Sequence, residues 1–314
     1  MSAYLVRRIG YFFLTMFILS LFIFGVIALL PGDVCATVLG RGAPQQACEA
    51  LKEELGLKMP FLERYGNWLG NFLRGDWGTS YGLRQEIFPI IFQRLGNSLR
   101  LALIALLLSV PPAICLGVIA GLNENRTPDV LFNVVSLVFV GIPEFVMGII
   151  LINVVALQWK LLPSSANVSP DASFVDALPR LILPALTAAA VLIAYIGRLT
   201  RVGVLDEVKK PYVRTAILKG LSRAQVVIRH ILPNALLPTI TVVAISTGWL
   251  ISGLVVIENV FAYPGLGQVL VRAIERRDLP LIQAGVLISA AIYGIVNLIA
   301  DLLYALLNPR IRYG

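Results

Sequence analysis

Six apolar runs of membrane length limit how this chain can fold more than any other feature. A helix that crosses the hydrocarbon core of a bilayer, about 30 Å thick, needs roughly 20 predominantly apolar residues. The runs span residues 9–30, 98–122, 130–157, 181–200, 235–257 and 281–307. They predict an all-α polytopic membrane protein with six transmembrane helices, because only helices and closed barrels satisfy their backbone polar groups inside a membrane.

The composition agrees with a membrane protein. Hydrophobic residues make up 58% of the chain and charged residues only 14%, whereas soluble domains carry about a quarter charged residues. The net charge of +8 first suggests nucleic acid as a partner. However, the basic residues lie in loops beside the apolar runs, where retention of Lys and Arg in the cytoplasm explains them. No nucleic-acid binding is predicted.

The distribution of Lys and Arg predicts the orientation in the membrane. Basic residues concentrate in the two ends of the chain and between Arg198 and Arg229, so both termini and this basic segment are predicted to be cytoplasmic. The chain then divides into the N-terminus with the first helix (1–30), an extracytoplasmic segment (31–97), and a five-helix core (98–314) with a cytoplasmic loop at about 202–233.

The extracytoplasmic segment contains two predicted amphipathic helices, which begin after Pro44 and Pro60. Their apolar stripes are Ala47, Leu51 and Leu55 in the first, and Leu62, Tyr65, Leu69 and Phe72 in the second. These helices either lie against the membrane or the mouth of a pathway, or they cap the bundle. The pattern does not choose between the two.

Two cysteines, Cys35 and Cys48, lie in the same segment. An oxidising compartment permits a disulfide between them, which would close a loop of about 14 residues and contribute about 3 kcal/mol. Two free thiols fit the sequence nearly as well. Cys115 lies in the second apolar run and is interpreted as a small packing residue.

Residues for catalysis are missing. Residues 78–82 match the five-residue nucleophile elbow of serine hydrolases around Ser80, but that motif needs a strand-to-helix turn and a histidine partner. The only histidine, His230, is predicted on the other side of the membrane. The sequence has no metal-binding histidine pair, no Cys-x-x-Cys and no phosphate-binding loop. No catalytic residue and no metal site are predicted, and a hydrolase built on Ser80 is the weaker alternative.

Acidic residues inside the apolar runs are few. Glu144 follows Pro143 early in the third run and Asp301 lies late in the sixth. Glu144 either lines a polar pathway or occupies an interfacial position at a helix N-terminus. Asp301 is interpreted as structural. Two scattered acids make a poor proton relay, so an ion-coupled secondary transporter is a less favoured class.

Small residues and prolines predict how two of the helices pack. Ala113, Gly117 and Gly121 recur every four residues and would let another helix approach the second span closely. Pro111 and Pro112 are predicted to loosen or bend that span. Such prolines either act as hinges or are simply tolerated in a membrane helix.

The basic segment before the fifth run has the pattern of a helix-turn-helix, called the elbow below. Pro211 suits the first position of a helix, with Val213, Ala216 and Ile217 on one face and Gly220 just beyond its end. Ser222 and Gln225 form a capping box that begins a second helix, which Pro233 is predicted to interrupt. The elbow either inserts into a groove on a cytoplasmic partner or is a solvated loop whose charges only set the topology.

The elbow resembles the ATPase-docking loop of ATP-binding-cassette (ABC) importer permeases. The matching residues are Tyr212, Val213, Arg214, Thr215, Ala216, Lys219, Gly220, Leu221 and Ser222, with residues 229–235 downstream. Arg214 and Thr215 stand where the general motif has Glu and Ala. In this departure the chain resembles the dipeptide and oligopeptide (peptide/nickel) branch of the family.

Further stretches resemble the same branch along nearly the whole chain. Residues 258–267 are similar to its connection between the fifth and sixth spans, and residues 297–313 to its C-terminal signature. Residues 30–33, 54–57 and 74–78 are similar to the N-terminal-type permease of such a pair.

The resemblance implies a type I ABC importer permease fold in a bacterial or archaeal cytoplasmic (inner) membrane. It implies pairing with a second homologous permease, two ATPase subunits that bind ATP and Mg, and an extracytoplasmic solute-binding protein that delivers peptide. The coupling loop would run from Tyr212 to Arg223, and Pro264, Gly265 and Gly267 would meet the binding protein. The chain itself would hold no cofactor. Nickel chelates, glutathione and other small solutes are alternative cargoes.

Overall fold

The computed structural model describes residues 2–29, 35, 39–40, 42–54, 56, 58–168 and 174–307. Helices joined by turns and loops make up this part of the chain, and an isolated β-bridge pairs Thr79 with Glu86. The helices are α1 (Ser2–Leu29), α2 (Gln45–Glu54), α3 (Phe61–Leu73), α4 (Ile87–Leu122), α5 (Thr127–Gly141), α6 (Glu144–Leu151), α7 (Phe174–Val208), α8 (Pro211–Leu218), α9 (Arg223–Val226), α10 (Leu232–Val260), α11 (Leu266–Glu275) and α12 (Leu279–Leu307). Two π-helical stretches follow α6 and α9, at Ile152–Gln158 and Val227–Ile231.

Five described helices are long and apolar enough to cross a membrane, and a bent pair makes a sixth span when it is counted as one. The five are Val6–Leu29, Ile87–Leu122, Val175–Val208, Arg223–Leu250 and Leu279–Leu302. The predicted all-α membrane fold with six spans is therefore confirmed. The second and fourth spans are longer than predicted, because their helices continue at one or both ends into extramembrane structure.

The third span is the bent pair and is not the straight helix that its apolar run predicted. Helix α5 ends at Gly141, Ile142 is extended, and α6 begins at Glu144 after a bend of 102°. The ring of Pro143 disfavours helical geometry at the residue before it, and Pro143 has no N–H for the helix ladder. Hydropathy continues across this break, so a count of apolar residues does not detect it.

The described residues divide into two compact units, of which the larger comprises residues 99–168, 174–263 and 295–307. Its main core contains Leu101, Leu183, Leu192, Leu254 and Phe261. The predicted small-residue stripe on α4 is confirmed: a side chain on Gly117 would collide with the carbonyl of Gly197, and one on Gly121 would lie 2.8 Å from Val204. Helix α4 continues through Pro111 and Pro112 without a break.

The smaller unit comprises residues 2–98 and 264–294. Helices α2 and α3 begin directly after Pro44 and Pro60, as predicted. Helix α3 packs on α1, where the ring of Phe24 contacts Phe61, Tyr65 and Trp68. Leu62 was predicted on this face but is 75% exposed, because the aromatic side chains occupy the contact with α1.

The remaining features of the smaller unit concern α4 and the cysteines. Helix α4 begins at Ile87 rather than near Ser98, because Ile87 and Ile91 are buried against Leu266 and Leu270 of α11. Cys35 and Cys48 are joined in the structure, with their Cα atoms 5.4 Å apart. The motif at residues 30–33 and residues 308–313 of the C-terminal signature lie outside the described residues.

Candidate functional site

Helix α8 carries the first half of the elbow and is anchored along one face. Pro211 is its first residue, after an extended Lys210. Val213 and Ala216 are buried in a cluster with Val204, Val226, Ile231 and Ala235. Ile217 was predicted on the same face but is 58% exposed, and Leu218 is 79% exposed. At 100° per residue, Ile217 lies only about 40° from Val213 but about 100° from Ala216, on the far side of Val213. The buried contact is therefore centred between Val213 and Ala216, and Ile217 lies at its edge.

The turn at Gly220 is a Schellman motif, the hydrogen-bonded stop that commonly ends a helix. The Gly220 N–H donates to the carbonyl of Ile217 at 2.9 Å, and the Leu221 N–H donates to that of Ala216 at 3.4 Å. Gly220 has a φ of +79°, a conformation that glycine adopts without a steric cost. The turn therefore has a fixed geometry, and α8 forms a short rigid projection.

The second half of the elbow begins with the predicted capping box. The Ser222 side chain accepts from the Gln225 N–H, and the Gln225 side chain accepts from the Ser222 N–H. The prediction that Pro233 interrupts this helix is wrong, because α9 continues through the π-helical turn at Val227–Ile231 directly into α10. The wider π-helical turn accommodates Pro233, which has no N–H to donate to the helix, as such bulges do in other helices.

A buried carboxylate, Glu207 at the end of α7, ties the elbow down. It accepts hydrogen bonds from the Lys210 ammonium and the Tyr212 hydroxyl. The side-chain amide of Asn234 donates to Tyr212 at 3.2 Å and to the carbonyl of His230 at 3.0 Å. These bonds connect the start of α8 with the π-helical turn.

Burial and the hydrogen bond to Glu207 together raise the pKa of Tyr212 above its ordinary value. The same carboxylate raises the pKa of Lys210. Glu207 thus meets a neutral hydroxyl donor and a positive ammonium at neutral pH. The sequence did not indicate Glu207 or Asn234, because their contacts form only after folding.

A second ion pair fastens the turn between α4 and α5. The carboxylate of Asp129, which is buried, receives a bidentate pair of hydrogen bonds from the Arg201 guanidinium. Asp129 also accepts from the Asn125 N–H at 2.9 Å and from the Asn133 amide at 2.8 Å. Removing one partner of such a buried pair is strongly destabilising. Arg201 therefore has a structural role within the basic segment, unlike the exposed basic residues of the elbow.

Glu144 lies at the break in the third span. It is the first residue of α6, and a Cβ on Gly253 of α10 would lie 3.4 Å from its carboxylate. Within the described ranges this carboxylate has neither a hydrogen bond nor an ion pair. An unpaired carboxylate within a membrane span is costly.

Pro264 and Gly265 lie in the turn before α11, and Gly267 lies in the first turn of that helix. The Pro264 carbonyl accepts from the Asn97 amide at 2.9 Å, and the Leu266 N–H donates to the Ser98 hydroxyl at 2.8 Å. Gly265 and Gly267 are buried, and Pro264 is partly exposed. The exposed side chains near this turn therefore belong mainly to the rest of α11.

Ser80 holds a loop in place instead of lying in a hydrolase site. Its hydroxyl donates to the buried carboxylate of Asp278 at 2.5 Å and accepts from the Leu83 N–H at 3.0 Å. Asp278 also accepts from the Gly82 N–H at 2.9 Å. The sequence match around Ser80 lacks the histidine partner that the mechanism needs.

Comparison with protein families decides the class of the chain. Residues 113–313 match the family described as the binding-protein-dependent transport system inner membrane component, and residues 1–102 match the N-terminal part of the membrane component of such systems. The chain belongs to this family. It is an ABC importer permease subunit, a multi-pass membrane component without catalytic activity of its own.

Two relatives are similar over their whole length. The chain is 35% identical over 313 residues to a probable peptide ABC transporter permease protein, y4tP, of Sinorhizobium fredii. It is 34% identical over 313 residues to the glutathione transport system permease protein GsiC of Escherichia coli K12. Both alignments cover 100% of each chain. The predicted resemblance to ABC importer permeases is confirmed.

A solved structure shares the fold. It is a crystal structure of an amino acid ABC transporter with histidines, at 18% sequence identity and a TM-score of 0.50. The match covers 71% of this chain and 94% of the other. This identity is too low to carry any residue assignment, so the likeness supports the fold alone.

Proposed function

We propose that this chain forms half of the translocation pathway of an ATP-driven peptide importer. A second homologous permease would supply the other half, and two ATPase subunits would supply the energy. The elbow would dock one ATPase subunit, and a solute-binding protein would deliver the cargo from outside. The chain contributes no covalent chemistry to this cycle.

The observation that carries the proposal is the one-sided anchoring of the elbow. Val213 and Ala216 hold α8 from below, and Glu207 fixes its start. Ile217 and Leu218 remain exposed on the other side, next to the basic Arg214 and Lys219. A rigid projection with exposed apolar side chains suits the groove of a partner protein and can transmit rigid-body motion.

The two relatives support peptide as the cargo class. One is named for peptide and the other for glutathione, and glutathione is itself a tripeptide. Glutathione is therefore the second candidate cargo. We assign Glu144 to the pathway, because a polar route past the broken third span would hydrate this unpaired carboxylate and remove the cost of its position.

The proposed orientation places both termini and the elbow in the cytoplasm. Residues 31–97 and the turn at Pro264, Gly265 and Gly267 then lie outside, where the binding protein would land. A disulfide between Cys35 and Cys48 belongs on this side, since oxidising compartments preserve such bonds. The distribution of Lys and Arg supports this orientation.

Purification of the assembled transporter tests the proposal. We expect two ATPase subunits and a second permease to co-purify with this chain, and ATP hydrolysis by the complex to rise when a peptide-loaded binding protein is added. The same assay with glutathione-loaded binding protein separates the two cargoes. Uptake of solute by the isolated chain in liposomes, driven by an ion gradient alone, would contradict an ATP-driven importer.

A further inference from the structure

Helix α11 carries a polar stripe that faces a small basic cavity. Gln268, Arg272 and Arg276 are spaced four residues apart, so they lie on one side of the helix. Together with Arg94 of α4 they line a cavity of about 70 Å³. Gly82 and Asp278 also line it. Three arginines thus line one cavity, and the function proposed above gives this cavity no role.

The carboxylate in the lining of this cavity does not pair with the two arginines that α11 contributes. Asp278 is the one acid in its lining, and that carboxylate already accepts hydrogen bonds from the Ser80 hydroxyl and the Gly82 N–H. Among the residues that the structure describes, neither Arg272 nor Arg276 has a carboxylate partner. The two guanidinium groups are therefore available to an external anion.

The cavity has a rigid base. Val269 and Ala273 of α11 are buried beneath it, and Asp278 bonded to Ser80 and Gly82 closes one side. A Cβ on Gly82 would lie 3.4 Å from the Cδ of Arg276, so the missing side chain of this glycine leaves room for the arginine stem. A site whose base is fixed loses less entropy on binding than a mobile loop does.

The location of the arginines also favours an external partner. The proposed orientation puts the short connection between α10 and α12 outside the cell. Lys and Arg are disfavoured in short translocated connections, yet this one carries Arg272, Arg276 and Arg277. A binding function on this side gives these positive charges a physical reason.

We propose that this cavity, lined by Arg94, Arg272 and Arg276, receives an Asp or Glu side chain from the docking face of the solute-binding protein. The proposal rests on the function and orientation proposed above. One water molecule needs about 10–15 Å³ of cavity volume, so a cavity of about 70 Å³ has room for a carboxylate group. Planar guanidinium groups bind a carboxylate in bidentate geometry.

The test is the affinity of the binding protein for the whole transporter carrying the double substitution R272E and R276E. The probe is the peptide-loaded binding protein that stimulates the wild-type complex, and the complex sits in nanodiscs of zwitterionic lipid. We expect the dissociation constant to rise at least about tenfold at low salt and its salt dependence to flatten, since complementary charges steer association. Replacement of the complementary Asp or Glu on the binding protein by a basic residue should restore the affinity.

The matched control is R277E, which reverses a neighbouring exposed arginine outside the cavity lining. It should leave the affinity within about twofold, because Arg277 does not line the cavity that receives the carboxylate. Co-purification of the ATPase subunits checks that each variant assembles. If the doubly reversed protein does not assemble, R272A with R276A replaces it and should weaken binding about fivefold.

Two results would overturn this site. One is an affinity and a salt dependence for the R272E and R276E protein that equal those of R277E. The other is an effect that appears only with anionic lipid, which would assign the cavity to lipid phosphate. A wild-type complex that no binding protein stimulates would instead refute the proposed function, so the two failures are distinguishable.

Discussion

The elbow and the connection around α11 both place a short helix between two spans, but they present different surfaces. The elbow exposes Ile217 and Leu218 beside its basic residues. The connection around α11 lines a small cavity with arginines. Apolar contact favours a stable interface, whereas exposed charge speeds association and depends on salt. Under the proposed function, this difference predicts a permanent partner at the elbow and a transient one at the connection around α11.

The largest expected effect concerns the apolar tip of the elbow. The substitution Leu218→Asp places a charge in the proposed interface, where burying an unpaired charge is costly. We expect a loss of ATPase attachment of at least about 100-fold, measured by quantitative co-purification. Ile274→Asp is the control, because Ile274 is also an exposed aliphatic residue but belongs to α11. Equal losses in both variants would refute the distinction between the two surfaces.

A smaller effect is expected when the elbow loses its anchor. Glu207→Gln removes the charge that holds Lys210 and Tyr212, and hydrogen bonds to charged groups contribute about 1.5–3 kcal/mol. We expect ATPase affinity to fall about tenfold while the ATPase activity of the free subunit stays the same. Asp206→Asn, an exposed neighbour, should leave the affinity unchanged. Unchanged affinity in Glu207→Gln would mean that the anchor does not position the elbow.

The turn at Gly220 gives the next prediction. A Cβ added at Gly220 would meet no atom within 4 Å. The free-energy cost of Gly220→Leu is therefore that of holding leucine in a left-handed backbone conformation, about 1–2 kcal/mol. We expect peptide uptake per ATP hydrolysed to fall about fivefold in proteoliposomes. Gly220→Asn should retain most of the coupling, because asparagine tolerates this backbone conformation. Full coupling in the leucine variant would remove Gly220 from the mechanism.

Glu144 supplies the smallest predicted effect, away from both docking surfaces. Glu144→Gln keeps the shape and removes the charge, so a polar pathway loses one hydrated carboxylate. We expect peptide uptake to fall about threefold with no change in ATPase attachment, measured in the same proteoliposomes. The exposed Glu275→Gln is the control. Equal uptake by both variants would place Glu144 outside the pathway.

The parts of the elbow that were predictable from the sequence depend on local interactions. Pro211 begins α8, Gly220 ends it and Ser222 pairs with Gln225, and each of these signals acts over a few residues. The anchors were not predictable. Glu207 meets Tyr212 across the turn between α7 and α8, whose geometry the sequence does not give, and Asp129 meets Arg201 only through tertiary packing. The same limit explains Pro233: its helix-breaking tendency was visible, but the π-helical turn that accommodates it was not.

The spans show a similar division. Their number and helical class followed from hydropathy, which depends on composition. The break at Pro143 was missed, because Ile142 is as apolar as the residues of a straight helix and the proline alone permits either a kink or a break. The basic cavity was also missed, since Arg94 is far along the chain from Arg272 and Arg276.

The most direct test of the central claim, that the elbow docks an ATPase subunit in the cytoplasm, is a cysteine at position 218. The substitution Leu218→Cys is made in a Cys115→Ser background, which removes the free thiol. We expect this cysteine to cross-link to the ATPase subunit in the assembled transporter and to resist a membrane-impermeant thiol reagent added outside intact cells. Labelling of this position from outside, together with no cross-link, would contradict the claim.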